Sequence, residues 1–182
     1  ETLAWGQALA LRQPLRLEVR FEGGGQAAMR AWLGLAPLYR AQGPGDLGQR
    51  MARALHQALD EGEHRVVLVG TDCPGRDDTI LARAFEALAG HDLVLGPAHD
   101  GGYYLVGLRK PAPAIFQGMD WGGPQVLAQT LAAAGRAGLS THLLDTLPDL
   151  DRPEDLALLE QAPHPPRLEP DPGLISVVVP AL

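Results

Sequence analysis

The residues best suited to chemistry are acids that directly follow apolar runs. Asp72 stands in Thr71-Asp72-Cys73-Pro74-Gly75, immediately after the run at 65–70. Asp100 stands in His99-Asp100-Gly101-Gly102, after a second run at 92–96. Asp149 and Asp151 stand in Asp149-Leu150-Asp151, just before Arg152-Pro153-Glu154-Asp155. In open α/β sheets ligands bind beyond the carboxyl ends of the strands, so acids at three such ends converge on one edge. Carboxylates gathered there suit Mg²⁺ or Mn²⁺ carrying a nucleotide diphosphate, because hard cations take oxygen ligands from carboxylate, phosphate and water. A bound ion of that kind stabilises the charge that develops on a departing phosphate. The competing reading of each acid is a helix cap or a solvated loop. That reading suffices for Glu154 and Asp155, which open a helix and offset its macrodipole, and serves Asp149 at least as well as a metal role. Asp72 and Asp151 are the candidate metal ligands.

Asp100-Gly101-Gly102-Tyr103-Tyr104 allows two readings. Paired glycines let a ligand approach the backbone, and the adjacent rings then line a sugar or base pocket. Equally, the string is a tight turn into a strand whose tyrosines divide between core and surface. Other motifs carry less. Gly23-x-Gly25-x-x-Ala28 matches a loose dinucleotide fingerprint but lacks the acidic residue that should end a further strand, so it reads as a turn. Cys73 has no histidine partner nearby in sequence and reads as a small core residue. The six histidines show no metal-ligand spacing, and the only lysine, Lys110, precedes a proline rather than closing a Gly-rich phosphate loop.

Alternating strands and helices must position these residues. Residues 16–22 alternate polar and apolar, the period of a half-buried strand. Gly23-Gly24-Gly25 turns the chain, a helix follows over 26–33, and a short strand over 35–40. Asp46 is placed to cap a helix whose Leu47, Met51, Ala54, Leu55, Ala58 and Leu59 share one face, with Gly62 as its stop. The runs at 65–70 and 92–96 read as strands covered on both faces, and 103–107 as a third. Helices are expected at 2–11, 79–88, 124–134 (with Pro124 in its first turn) and 153–161, and a short strand at 141–144. The whole is an α/β layered domain with a mostly parallel central sheet and helices on both faces.

Length and composition bound the rest. A chain of 182 residues fits one domain with a real core. A net charge of -7 argues against nucleic acid or an anionic membrane surface as partner. One cysteine excludes an intrachain disulfide, and no apolar stretch approaches the roughly 20 residues that span a bilayer. The expected location is the cytoplasm. A proline-rich stretch, 162–174, reads as a semi-rigid linker, and Ile175-Ser176-Val177-Val178-Val179-Pro180 follows it as a strand-like run.

Taken in order, Gly45-Asp-Leu-Gly-Gln-Arg-Met51, Val69-Gly-Thr-Asp-Cys-Pro-Gly75, residues 95–108 around Asp100-Gly-Gly-Tyr103, and Asp149-Leu-Asp-Arg-Pro-Glu-Asp-Leu156 resemble one family. It is the GT-A-type radical-SAM/selenodomain-associated transferase 1 family, also labelled arsenosugar biosynthesis glycosyltransferases. The resemblance spans about 43–158. It implies a nucleotide-diphosphosugar transferase fold, with Asp72 as the metal-binding acid and Asp151 as a second metal ligand. It places Asp100, the catalytic candidate, with Gly101, Gly102 and Tyr103 beside the acceptor or sugar, and Gly45 and Arg50 near the base or phosphates. His99 stands where the family often has an acid, which weakens any paired acid there.

The family opens with an apolar strand and a basic Gly-containing loop that this sequence does not show. The 175–182 run resembles the first strand of a family 2 glycosyltransferase. The expectation is therefore a transferase domain at 1–161 lacking its first strand, a linker at 162–174, and the start of a second glycosyltransferase domain at 175–182. The implied activity is metal-dependent transfer from a nucleotide-diphosphosugar to a small-molecule acceptor, fused to or acting with a family 2 glycosyltransferase. A guanylyltransferase-like enzyme that consumes a nucleoside triphosphate and releases pyrophosphate is the alternative. A non-catalytic binding or scaffold domain is a third.

Overall fold

The computed structural model describes residues 15–34, 37–70, 78–147 and 174–178. Seven strands form one mixed sheet: β1 (Arg16–Phe21), β2 (Leu38–Ala41), β3 (Val66–Gly70), β4 (Leu93–Pro97), β5 (Tyr103–Leu108), β6 (Thr141–Leu143) and β7 (Leu174–Val178). Their order is β2-β1-β7-β3-β5-β4-β6. Pairing is parallel except around β5, which runs antiparallel to both β3 and β4. The α-helices are α1 (Gln26–Leu33), α2 (Leu47–Asp60), α3 (Asp78–Gly90) and α4 (Val126–Arg136), with a 3₁₀ turn at Pro113–Phe116. The expected helices at 2–11 and 153–161, and the linker up to residue 173, lie outside the described residues.

Local chemistry accounts for the element ends. Asp46 caps α2 through a reciprocal box: its carboxylate accepts the Gln49 amide at 2.8 Å, while the Gln49 side chain accepts the Asp46 amide at 3.1 Å. At the other end Gly62 adopts φ +99°, which lets the Glu63 amide reach the Ala58 carbonyl at 3.1 Å and close the helix. Pro124 lies before the α4 cap, Gln125, so it shapes the preceding turn and not the first helical turn expected from the sequence. The Gly23-containing motif is the turn it was read to be, with Gly23 and Gly24 both at positive φ.

Among the described residues the two larger cores lie on opposite faces of the sheet, and a smaller one, Val19, Phe21, Met29 and Tyr39, lies under α1. Leu55, Ala54 and Met51 of α2 pack with Val66, Leu68, Leu93, Leu95, Val106 and Ile115 on one face. Leu81, Phe85 and Leu88 of α3 pack with Val67, Val69, Val94 and Leu105 on the other. Each fully buried leucine here contributes about 1.5–3 kcal/mol of transfer free energy. Tyr103 joins the first core and Tyr104 the second, as alternate residues of a strand must.

One strand departs from its sequence reading. The alternation in β1 predicts a face open to water, yet Glu18 and Arg20 are 1% and 2% exposed. They pair with each other, Glu18 also takes Arg40 of β2 at 3.0 Å, and Arg20 reaches Gln57 of α2 at 3.0 Å. The polar face meets a polar lining of α2 and β2 instead of solvent. The stretch read as the first strand of a second domain also pairs within this sheet: Leu174–Val178 sits between β1 and β3, parallel to both. No β1–β3 pairing exists among the described residues, so β7 joins the two halves of the sheet.

Candidate active site at the carboxyl edge of the sheet

The parallel strands β1, β2, β3, β4 and β7 all end on one edge, and β5, being antiparallel, begins there. The loops leaving this edge carry the sequence motifs. Gly70 ends β3, and Asp72 follows two residues later, outside the described residues. Leu147 bridges Ala98 just past the end of β4, with its amide on the Pro97 carbonyl at 3.0 Å. Asp149 and Asp151 follow it, again outside the described residues. Leu147 continues the β6 side of β4, so β5 and β4 separate the exits toward Asp72 and Asp151, three strand spacings or about 14 Å apart.

The Asp100–Tyr103 segment is a tight turn into β5. Asp100 is exposed, and its Oδ1 accepts the Gly102 amide at 2.8 Å. Gly101 has φ +88°, and a Cβ there would lie 2.0 Å from the Pro124 carbonyl oxygen. The glycine is demanded by that close backbone approach, and its own carbonyl takes the Leu127 amide at 2.9 Å. Tyr103 packs edge-on against Trp121 with ring centres 6.4 Å apart. Burial pushes its phenol well above the usual range, with Thr130 opposing only in part. Tyr103 is therefore a neutral wall and not a base.

The Gly45–Arg50 segment lies at the ends of β1 and β2. Arg50 forms a two-pronged pair with Glu22, one bond at 2.9 Å, and its Nε donates to the Gly45 carbonyl at 2.8 Å. Arg53 donates to the carbonyls of Gln42 and Pro44. Two arginines therefore hold the 42–45 turn from below, a use of Arg50 that its sequence role near a phosphate or base did not include.

The first turns of α2 connect these two segments. Leu47 and Met51 line a hollow of about 140 Å³ together with Leu68, Gly70, Tyr103 and Tyr104. Its lining is almost wholly apolar, and it is smaller than the roughly 300–1,000 Å³ that hold a drug-sized ligand. Gly48 is pressed by Trp121, whose ring would lie 2.5 Å from a Cβ. Trp121 touches both α2 and Tyr103 and was missed in the sequence. Its signal is a lone tryptophan inside the breaker-rich string Asp120-Trp121-Gly122-Gly123-Pro124. Among the described residues no three His, Cys, Asp or Glu side chains come together as metal ligands.

Comparison with known proteins places the chain in a family and a fold. A family model described as an uncharacterized protein conserved in bacteria, DUF2064, matches residues 4–123. The chain belongs to that family. Among solved structures, the "putative nucleotide-diphospho-sugar transferase" of Desulfovibrio desulfuricans G20 is 37% identical, with a TM-score of 0.76. The match covers 85% of this chain and 69% of that one. No curated protein sequence matches. The DUF2064 chain thus has the GT-A-like α/β fold expected from its motifs. Its likeness to a transferase of that class supports glycosyltransferase-like chemistry in outline. Among the described residues no helix is long and apolar enough to cross a membrane.

Proposed function

We propose that this DUF2064 protein transfers a sugar from a nucleotide-diphosphosugar to a small-molecule acceptor. One observation carries the reading. A chain 37% identical to a protein named for that donor class gathers Gly45–Arg50, Asp100–Tyr103 and the exits to Asp72 and Asp151 on one edge. The turn at 42–45, fixed by Arg50 and Arg53, receives the nucleotide. Asp100, whose carboxylate is exposed on a rigid turn, orients the acceptor hydroxyl and takes its proton. Gly101 lets the turn pack against the Pro124 backbone, the Gly102 amide holds the Asp100 carboxylate, and Tyr103 and Trp121 wall off the acceptor side.

Asp72 and Asp151 are the residues that would hold Mg²⁺ or Mn²⁺. When bound, that ion neutralises charge on the departing diphosphate. The finer family label, radical-SAM/selenodomain-associated transferase 1, and a working link to a family 2 glycosyltransferase belong to the same proposal.

The test is product analysis with a panel of nucleotide sugars and nucleoside triphosphates, each with and without Mn²⁺. Free nucleoside diphosphate supports the reading, whereas pyrophosphate from a triphosphate replaces it with nucleotidyl transfer. Asp100→Asn preserves the acceptor for the Gly102 amide, so the turn should persist. It should lower kcat by about 10²–10⁴-fold while donor binding is kept. Unchanged turnover in that variant would remove Asp100 from catalysis.

A further inference from the structure

On the edge opposite the candidate active site, His91 follows α3 and His142 lies in the outermost strand, β6. Their ring centres are 5.2 Å apart with planes inclined at 45°. With metal–nitrogen bonds of about 2.0–2.1 Å, two imidazoles on one tetrahedral ion hold their ring centres roughly 5 Å apart. The His91 Nδ1 lies 3.0 Å from the Ala87 carbonyl. A carbonyl only accepts, so Nδ1 carries the proton and Nε2 keeps its lone pair, the second-sphere arrangement that orients metal-binding histidines.

The segments that carry the two rings are tied to each other. Asp92, next to His91, is tied to Ser140, two residues before His142. The Asp92 amide donates to the Ser140 carbonyl at 2.9 Å, and the Ser140 hydroxyl donates to the Asp92 carboxylate at 2.9 Å. Lys110 pairs with the same carboxylate at 3.0 Å, so Asp92 is committed to this scaffold. His142 is opposite Val94 in the ladder, which places it on the sheet face that α3 covers.

We propose that His91 and His142 form a two-imidazole site for a borderline transition-metal ion, Zn²⁺ or Cu²⁺, separate from the carboxylate edge. Imidazole nitrogens select these ions over Mg²⁺ and Mn²⁺, which prefer oxygen. Among the described residues no third ligand joins them, so water completes the coordination and the ion exchanges readily. Bound metal clasps the end of α3 to β6.

The experiment is calorimetric titration of the full chain with ZnCl₂, and separately with MgCl₂, in a non-chelating buffer at pH 7.5. Wild type, His142→Ala and His91→Gln are compared, with imidazole NMR signals followed during the titration. The proposal expects Zn²⁺ to shift both imidazoles together, each variant to lose at least tenfold in affinity, and Mg²⁺ to leave these signals unmoved. His142 is exposed, so its alanine variant should fold as the wild type does. Zn²⁺ binding unchanged in His142→Ala, or imidazole signals insensitive to Zn²⁺, overturns it and leaves the pair a simple ring contact.

Discussion

The sheet has two halves, joined by β7, that are stabilised by different physics. On one side β3, β4 and β5 bury apolar side chains on both faces, from Val66 and Leu93 to Leu105 and Leu108. On the other side β1 turns Val19 and Phe21 toward α1 but buries Glu18 and Arg20 under α2. The apolar half is held by area removed from water, which tolerates small shifts in position. The charged half is held by directional bonds: Glu18 to Arg20 and Arg40, Arg20 to Gln57, and Arg40 to both oxygens of Glu61. Such bonds fix the register of β1 against β2 and the rotation of α2, and α2 carries its first turn to the candidate active site. The apolar half supplies the stability, and the charged half sets the position of the helix on which the site turns.

The most damaging way to break this division is to remove the strand between the halves. Ser176 is centred in β7, opposite Glu18 on one side and Leu68 on the other. Proline there removes a ladder donor from a strand that is paired on both sides, a position in which proline is essentially not tolerated. Ser176→Pro should abolish the single cooperative transition in urea, followed by far-UV circular dichroism. A wild-type midpoint in that variant would mean that β1 and β3 stay joined without this strand.

A smaller effect tests the charged half alone. Arg20→Met leaves Glu18 buried with only Arg40 opposing it, and breaking one partner of a buried pair typically costs about 3–5 kcal/mol. Replacing both, as Glu18→Leu with Arg20→Met, removes the stranded charge and should recover part of that loss. Arg40 keeps its pair with Glu61 in the double variant. The measurement is a double-mutant cycle in urea. If the double variant is less stable than Arg20→Met by the full cost of Glu18→Leu, the two groups are independent and the buried pair does not act as a unit.

The same comparison explains what the sequence disclosed. Buried strands such as 66–70 and 93–97 were legible because a continuous apolar run has few other homes. The α2 cap was legible because an aspartate directly before an amphipathic run supplies an N-cap acceptor, although the reciprocal bond to the Gln49 side chain was not read. The burial of β1 was not. Alternation says only that two faces differ, and the partners that make a polar face buriable, Arg40 and Gln57, lie 20 and 37 residues from Arg20. The turn at Asp100 was legible as a string, but the need for Gly101 came from Pro124, a contact that no local pattern records. The placing of Leu174–Val178 was similarly hidden, because a strand pattern does not say which sheet it joins.

The smallest predicted effect concerns a polar side chain that α2 turns toward the apolar half. His56 accepts the Ala112 amide on Nε2 at 3.2 Å and meets Phe116 edge-on, with ring centres 6.0 Å apart. Burial lowers its pKa from 6.5, with the nearby Asp60 charge opposing in part. The folded protein therefore binds this proton less readily than the unfolded chain. Stability from His56 is complete above the unfolded value and declines as pH falls toward the lowered folded value. Protonation costs the Ala112 hydrogen bond, because Nε2 then carries a hydrogen and accepts nothing. Wild type should lose stability gently below about pH 6.5, and His56→Gln, which cannot titrate, should show a flatter profile there. The check is the difference between the two urea-unfolding profiles measured from pH 7.5 to 5. Parallel profiles would show that His56 titrates alike in both states, and that the apolar half accommodates the charge without loss.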